Sequence, residues 1–130
     1  MEGGDFRDRG RAMGGVRFRT AEWLRAIRWR KRVEEVLDSS GLTFTQWLVL
    51  GAMRELLRAT EDAVSQNDVA VHLEMHRSTV SDAMLALSSK GLVDRGGPAD
   101  GPSWRVILTS RAGRLLAELD PRTDAISGSD

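Results

Sequence analysis

The sequence predicts a mainly α-helical domain with one small β-hairpin, and three observations predict it. Apolar residues recur at helical spacing through most of residues 20–120. Two [ST]-x-x-[polar] starts, Thr43–Gln46 and Ser65–Asp68, stand immediately ahead of apolar runs, as N-terminal capping boxes do. Two short strand-like runs, Leu92–Arg95 and Trp104–Leu108, flank a loop dense in glycine and proline.

Residues 1–19 combine five glycines with alternating Arg and Asp and show no apolar period, which predicts a flexible basic arm. From Thr20 to Asp38 no Gly or Pro interrupts the chain. Trp23, Ile27, Trp29, Val33, Val36 and Leu37 cover a wide helical face, and Arg25, Arg28, Arg30, Lys31 and Arg32 crowd its first turns. So broad an apolar face suits packing on the domain or on a second subunit. Ser39-Ser40-Gly41 ends this helix. Thr43 caps the next, whose Trp47, Leu50, Met53, Leu56 and Leu57 face the core.

Ser65 and Asp68 open a short helix that buries Val69, Ala70 and Leu73, and Glu74-Met75 turns the chain. The following helix buries Val80, Ala83, Met84 and Leu87, an i, i+3, i+4, i+7 stripe, and closes at Lys90-Gly91. Two short helices at a tight turn, followed by a hairpin, make a winged helix-turn-helix. Thr109 caps a last helix with Leu115, Leu116 and Leu119 apolar. Pro121 is expected to stop it, leaving 121–130 as a disordered tail and 20–120 as the folded domain.

Composition narrows the function classes. No apolar run approaches the roughly 20 residues of a membrane span, and no apolar segment follows the charged N-terminus. The expectation is a cytoplasmic protein without membrane contact. The chain has no cysteine, which removes disulfides, thiolate catalysis and cysteine-held zinc. His72, Glu74 and His76 do not spell H-E-x-x-H, and no phosphate loop or G-x-S-x-G is present. Neither an enzyme nor a cofactor-binding or metal-binding protein is expected.

The second helix of the pair carries the chemistry. A helix start offers unpaired N–H groups and partial positive charge to a phosphate. Ser78, Thr79 and Ser81 are short donors and acceptors, and Arg77 can grip guanine O6 and N7 in a bidentate pair. Charge runs against strong binding by this unit alone, since residues 65–105 hold four Lys/Arg against five Asp/Glu. Residues 1–32 carry ten Lys/Arg against four Asp/Glu, so cations from that region, doubled in a dimer, would make up the deficit.

The ordered set Leu42-Thr43-x-x-Gln46-Trp47-x-x-Leu50, Gln66-x-x-Val69-Ala70-x-x-Leu73, Arg77-Ser78-Thr79-Val80-Ser81, Leu87-x-x-Lys90-Gly91-Leu92-Val93-x-Arg95 and Leu108-Thr109-x-x-Ala112-Gly113 resembles the MarR family over roughly residues 42–116. The resemblance implies a bacterial transcriptional regulator, a homodimer that places one recognition helix per subunit in successive major grooves of double-stranded DNA. It adds Gln66, His76, Arg95 and Arg105 to Arg77, Ser78, Thr79 and Ser81 as candidate contacts. It also implies a repressor released by a small aromatic effector, for which Trp23, Ile27 and Trp47 are the candidate pocket.

Four departures stand out. Pro102 replaces the arginine of the wing's Asp-x-Arg pattern, leaving Arg105 as a substitute if the hairpin turns it outward. Asp82 lies on the recognition helix, and His76 stands where a Ser or Thr cap is usual. The chain ends soon after Leu119, so dimerisation is expected to lean on the N-terminal helix. The alternative kept open is a winged-helix protein-interaction module with weak or lost DNA binding, favoured by Asp82, Pro102 and the neutral reading head.

Overall fold

The computed structural model describes the backbone of residues 2–96 and 105–126, with side chains from Thr20 onward in those stretches. The elements run α1 (Glu2–Leu37), α2 (Phe44–Ala59), α3 (Gln66–Leu73), α4 (Arg77–Ser89), β1 (Val93–Gly96), β2 (Arg105–Leu108) and α5 (Ser110–Ile126). The winged helix-turn-helix order expected from the sequence is the order observed. None of the described helices is long and apolar enough to cross a membrane.

Local chemistry explains where the elements start and stop. Gln46 N–H donates to Thr43 Oγ1 at 3.1 Å and Thr43 N–H donates to Gln46 Oε1 at 3.2 Å, so both halves of the first capping box form. Ser65 and Asp68 repeat the arrangement at 3.0 and 2.9 Å. Thr109 Oγ1 accepts from Ala112 N–H at 3.2 Å and starts α5. The turn between α3 and α4 is made by Glu74, which adopts φ 53°, a left-handed conformation that side chains other than Gly, Asn and Asp rarely take.

Helices α2, α3 and α4 pack on one another, and α1 and α5 pack together alongside them. Val33 and Leu37 of α1 meet Val49, Leu50 and Met53 of α2, Val69 and Ala70 of α3, and Leu116 and Leu119 of α5 in one core. The stripe Val80, Ala83, Met84, Leu87 is wholly buried, as its spacing predicts. Trp29, Phe44 and Trp47 form an aromatic cluster with centroids 5.4 to 5.9 Å apart, which ties α1 to α2.

The two strands pair antiparallel, Val93 with Leu108 through Gly96 with Arg105. A backbone bond from Val106 N–H to Val64 C=O at 2.9 Å, beside a bridge between Ser65 and Arg105, pins β2 to the entry of α3. The hairpin is therefore fixed to the helix pair at its base. Its tip, residues 97–104, lies outside the described residues, and with it fall the expectations for Asp100, Pro102 and Trp104.

The α1 backbone runs from Glu2 through the segment read as a flexible arm. Two expectations are corrected. Pro121 does not stop α5, which continues to Ile126. Tertiary contacts outweigh the lost proline N–H: Thr123 is buried and donates its hydroxyl to Leu119 C=O at 3.2 Å, Ile126 packs against the core, and Asp120 is anchored to Arg54. Residues 127–130 of the expected tail lie outside the described residues. Finally, β1 begins one residue later than its sequence run, at Val93, and β2 is described from Arg105.

Candidate nucleic-acid interface

Helix α4 has two opposite faces. Val80, Ala83, Met84 and Leu87 point into the core, and with about 100° per residue that sets the opposite, outward line at Ser78, Asp82, Leu85 and Ser89. All four of these are exposed. Arg77 and Ser81 lie on one flank of that line and Thr79 on the other, with Arg77 and Thr79 exposed and Ser81 half-buried.

The start of α4 differs from those of its neighbours. His76 is its N-cap, with extended backbone, yet its side chain makes no capping bond. Thr43, Ser65 and Thr109 each close the helix they precede with a side-chain oxygen. The first turn of α4 thus keeps N–H groups that no capping side chain takes, ringed by exposed His76, Arg77, Ser78 and Thr79, an arrangement that suits an anion.

The hairpin sorts the two wing arginines. Arg105 is exposed and pairs across from Gly96 on the same face as Asp94 and Ile107, so the substitute for the missing wing cation does point outward. Arg95 lies opposite Val106 on the inner face and is half-buried. Gln66 is only 7% exposed, at the first position of α3 beside the Ser65–Arg105 bridge. It is packed within the domain.

Of the three expected pocket residues, Trp23 and Ile27 lie on α1 and Trp47 on α2. Trp23 is 65% exposed and Ile27 half-buried on α1. Trp47 lines a cleft of about 230 Å³ between α2 and α5, with Leu48, Gly51, Leu73 and Thr123. The partners of Trp47 are Trp29 and Phe44, and Arg30 sits 4.8 Å over the Phe44 ring. At the edge of the cleft Arg54 grips Asp120 through two bonds of 2.8 and 3.0 Å. The hydrogen bond to Asp120 raises the Arg54 pKa further above its usual value.

His72 Nε2 lies 3.0 Å from Glu55 Oε2, which ties α3 to α2. His72 lies in α3 and His76 precedes α4, on either side of the turn at Glu74-Met75. Lys90, the C-cap of α4, donates to Gly41 C=O at 2.5 Å and to Gln46 Oε1 at 2.6 Å, locking the end of α4 to the start of α2. Among the described residues no group of three or more His, Cys, Asp or Glu is placed to hold a metal ion.

Sequence reasoning missed Leu85. Its signal is visible in retrospect: it is the leucine of α4 that falls outside the i, i+3, i+4, i+7 stripe, and it is 56% exposed.

Two helices across a tight turn, an exposed helix face and a pinned hairpin together define a winged helix-turn-helix domain. Residues 40–101 match the model of the MarR family. The chain is similar in structure to a MarR transcriptional regulator from Methanosarcina mazei Go1, at 20% identity over 84% of this chain and 76% of that one, with a TM-score of 0.69. It is similar to BpsR of Bordetella bronchiseptica, whose DNA binding is regulated by 6-hydroxynicotinic acid, at 25% identity over 85% and 76%, with a TM-score of 0.68. It is also similar to MepR, a transcription regulator of the Staphylococcus aureus multidrug efflux pump MepA, at 21% identity over 86% and 77%, with a TM-score of 0.65. No curated protein sequence matches it. The match to the MarR family spans just under half of the chain, and the winged-helix fold is what the chain shares with these transcription regulators.

Proposed function

We propose that this protein is a transcriptional regulator that binds duplex DNA as a homodimer, laying α4 in the major groove and the β1–β2 wing against the backbone. The observation that carries the reading is the open, exposed start of α4, with Arg77, Ser78 and Thr79 around it. Phosphate contacts from Ser78, Thr79 and the backbone would fix the register, and Arg77 would anchor a phosphate or read a guanine. His76, Ser81, Arg95 and Arg105 are proposed as flanking contacts, with Arg105 the best placed of the two wing arginines.

Dimerisation is proposed through α1. Trp23 and Leu24 are exposed on it, an apolar pair that a soluble monomer has little reason to present, next to the exposed cations Arg25, Arg28 and Lys31. A second subunit covering the apolar pair would also double the cations near DNA. Mobility shifts across a salt series test the DNA reading: specific complexes whose affinity falls steeply with salt support it, and no complex with any duplex at low salt refutes it. Sedimentation of Trp23→Glu tests the interface: a monomer is expected, and an unchanged mass assigns dimerisation elsewhere.

The cleft at Trp47 supports a narrower version of effector control. At about 230 Å³ it lies below the ~300 Å³ lower bound of common ligand pockets, so it suits a small ring rather than a drug-sized molecule. Its lining includes Leu73 of α3, which supports coupling of an occupant to the helix pair. Quenching of Trp47 fluorescence by small aromatic acids, lost in Gly51→Leu, is the expected signature.

A further inference from the structure

The outward line of α4 begins with Ser78 at the open helix start. It then presents Asp82 and, one turn further, Leu85. Neither residue suits a phosphate contact: a carboxylate repels the DNA backbone and an alkyl side chain gains nothing from it. Both are well suited to the floor of the major groove. We propose that Asp82 and Leu85 are the base-reading pair of this helix, Asp82 selecting cytosine and Leu85 selecting thymine. This assignment rests on the reading of α4 as the helix that enters DNA.

The chemistry discriminates among the four bases. Guanine presents the acceptors N7 and O6 in the major groove, and thymine presents O4, so each meets a carboxylate with like polarity. Adenine offers an amino donor, but its N7 acceptor lies beside it. Cytosine offers the N4 amino group without an acceptor of its own on that edge, and it is the base that a carboxylate best accommodates. The thymine 5-methyl is the apolar group on the groove floor, and Leu85 is the one large apolar side chain exposed on α4. Asp82 and Leu85 are three residues apart, about 4.5 Å along the axis. That is close to one base-pair step of about 3.4 Å along each strand, so the two preferences should fall on adjacent or next-adjacent pairs.

Asp82 then acts partly by exclusion. The described head has few cations to spare, and a carboxylate in the groove opposes every site that lacks a donor for it. Sequence preference is gained at the expense of general affinity. Asp82 also lines a polar notch with Thr43, Thr45 and Gln46, at the start of α2. A role confined to that notch would alter folding stability and leave base preference untouched.

Selection from a random duplex library with the full chain, at low salt, distinguishes these roles. Wild type should enrich a site with a cytosine in each half. Asp82→Ala should lose that preference by about ten-fold while binding random duplex more tightly, and Asp82→Asn should also lose it. Replacing the selected thymine with uracil removes only the methyl; wild type should weaken several-fold and Leu85→Ala should be indifferent. A motif that all three variants reproduce unchanged overturns the assignment while the DNA-binding reading stands. A lower thermal midpoint in Asp82→Asn with unchanged base preference assigns Asp82 to the α2 notch and overturns its role as a reader. Failure of wild type to enrich any duplex overturns the DNA-binding reading and the assignment with it.

Discussion

Helices α3 and α4 sit side by side across one tight turn and begin in opposite ways. Helix α3 is closed by its own sequence, with Ser65 and Asp68 exchanging two hydrogen bonds at its start. Helix α4 follows His76, which makes no capping bond, and its exposed polar residues crowd the first turn. The two also differ in what they expose: α3 ends at Glu74 in a left-handed turn, whereas α4 carries an outward line from Ser78 to Leu85. One helix is finished within the domain. The other is left with its donors turned outward, and a helix whose N-terminal groups lack a local partner is well prepared for an external one.

The contrast can be broken most strongly from beneath. Leu87→Ala removes a fully buried side chain that holds α4 on the core, and should lower stability by about 2–5 kcal/mol in chemical denaturation. DNA affinity would fall with it, because the exposed line would no longer be held at a fixed angle. Arg77→Ala should leave the denaturation midpoint nearly unchanged. Specific binding should fall by about 1–3 kcal/mol if Arg77 reads guanine, or the salt slope by about one if it neutralises a phosphate; mobility shifts across a salt series separate the two.

Changes at the two helix starts sharpen the comparison. Ser65→Ala should destabilise the domain by about 1 kcal/mol, since the hydroxyl satisfies Asp68 N–H. His76→Ala should alter stability by less than about 0.5 kcal/mol, because no capping bond is lost. Equal costs at the two positions would refute the distinction. Glu74→Gly, which relieves the positive φ, should raise stability by about 0.5 kcal/mol, seen as a modest rise in the thermal midpoint.

Much of this was legible because it is local. The two capping boxes, the buried stripe of α4, the glycine end at Gly91 with φ 75° and the Thr109 cap depend on residues within one or two turns of each other. Pro121 misled for the same reason. Its local signal is a stop, and only the buried Thr123 and the Arg54–Asp120 pair, supplied across 66 residues, explain why the helix continues. Gln66 followed a family pattern into the set of expected contacts, and sequence period could not say that it is buried against the domain. Trp23, Ile27 and Trp47 share an apolar character, but sequence period cannot say that Trp47 meets Trp29 and Phe44 while Trp23 stays exposed.

The sequence by itself determined the winged helix-turn-helix order, the helix starts and the stripe that seats α4, since each follows from hydrogen bonds and periodicity close along the chain. Tertiary structure decided which way the exposed residues face. It turned Arg105 outward and Arg95 inward, buried Gln66, and set Ser78, Asp82 and Leu85 in one outward line. Exposure is a property of what packs against a residue, and those neighbours are supplied by segments far away in the chain.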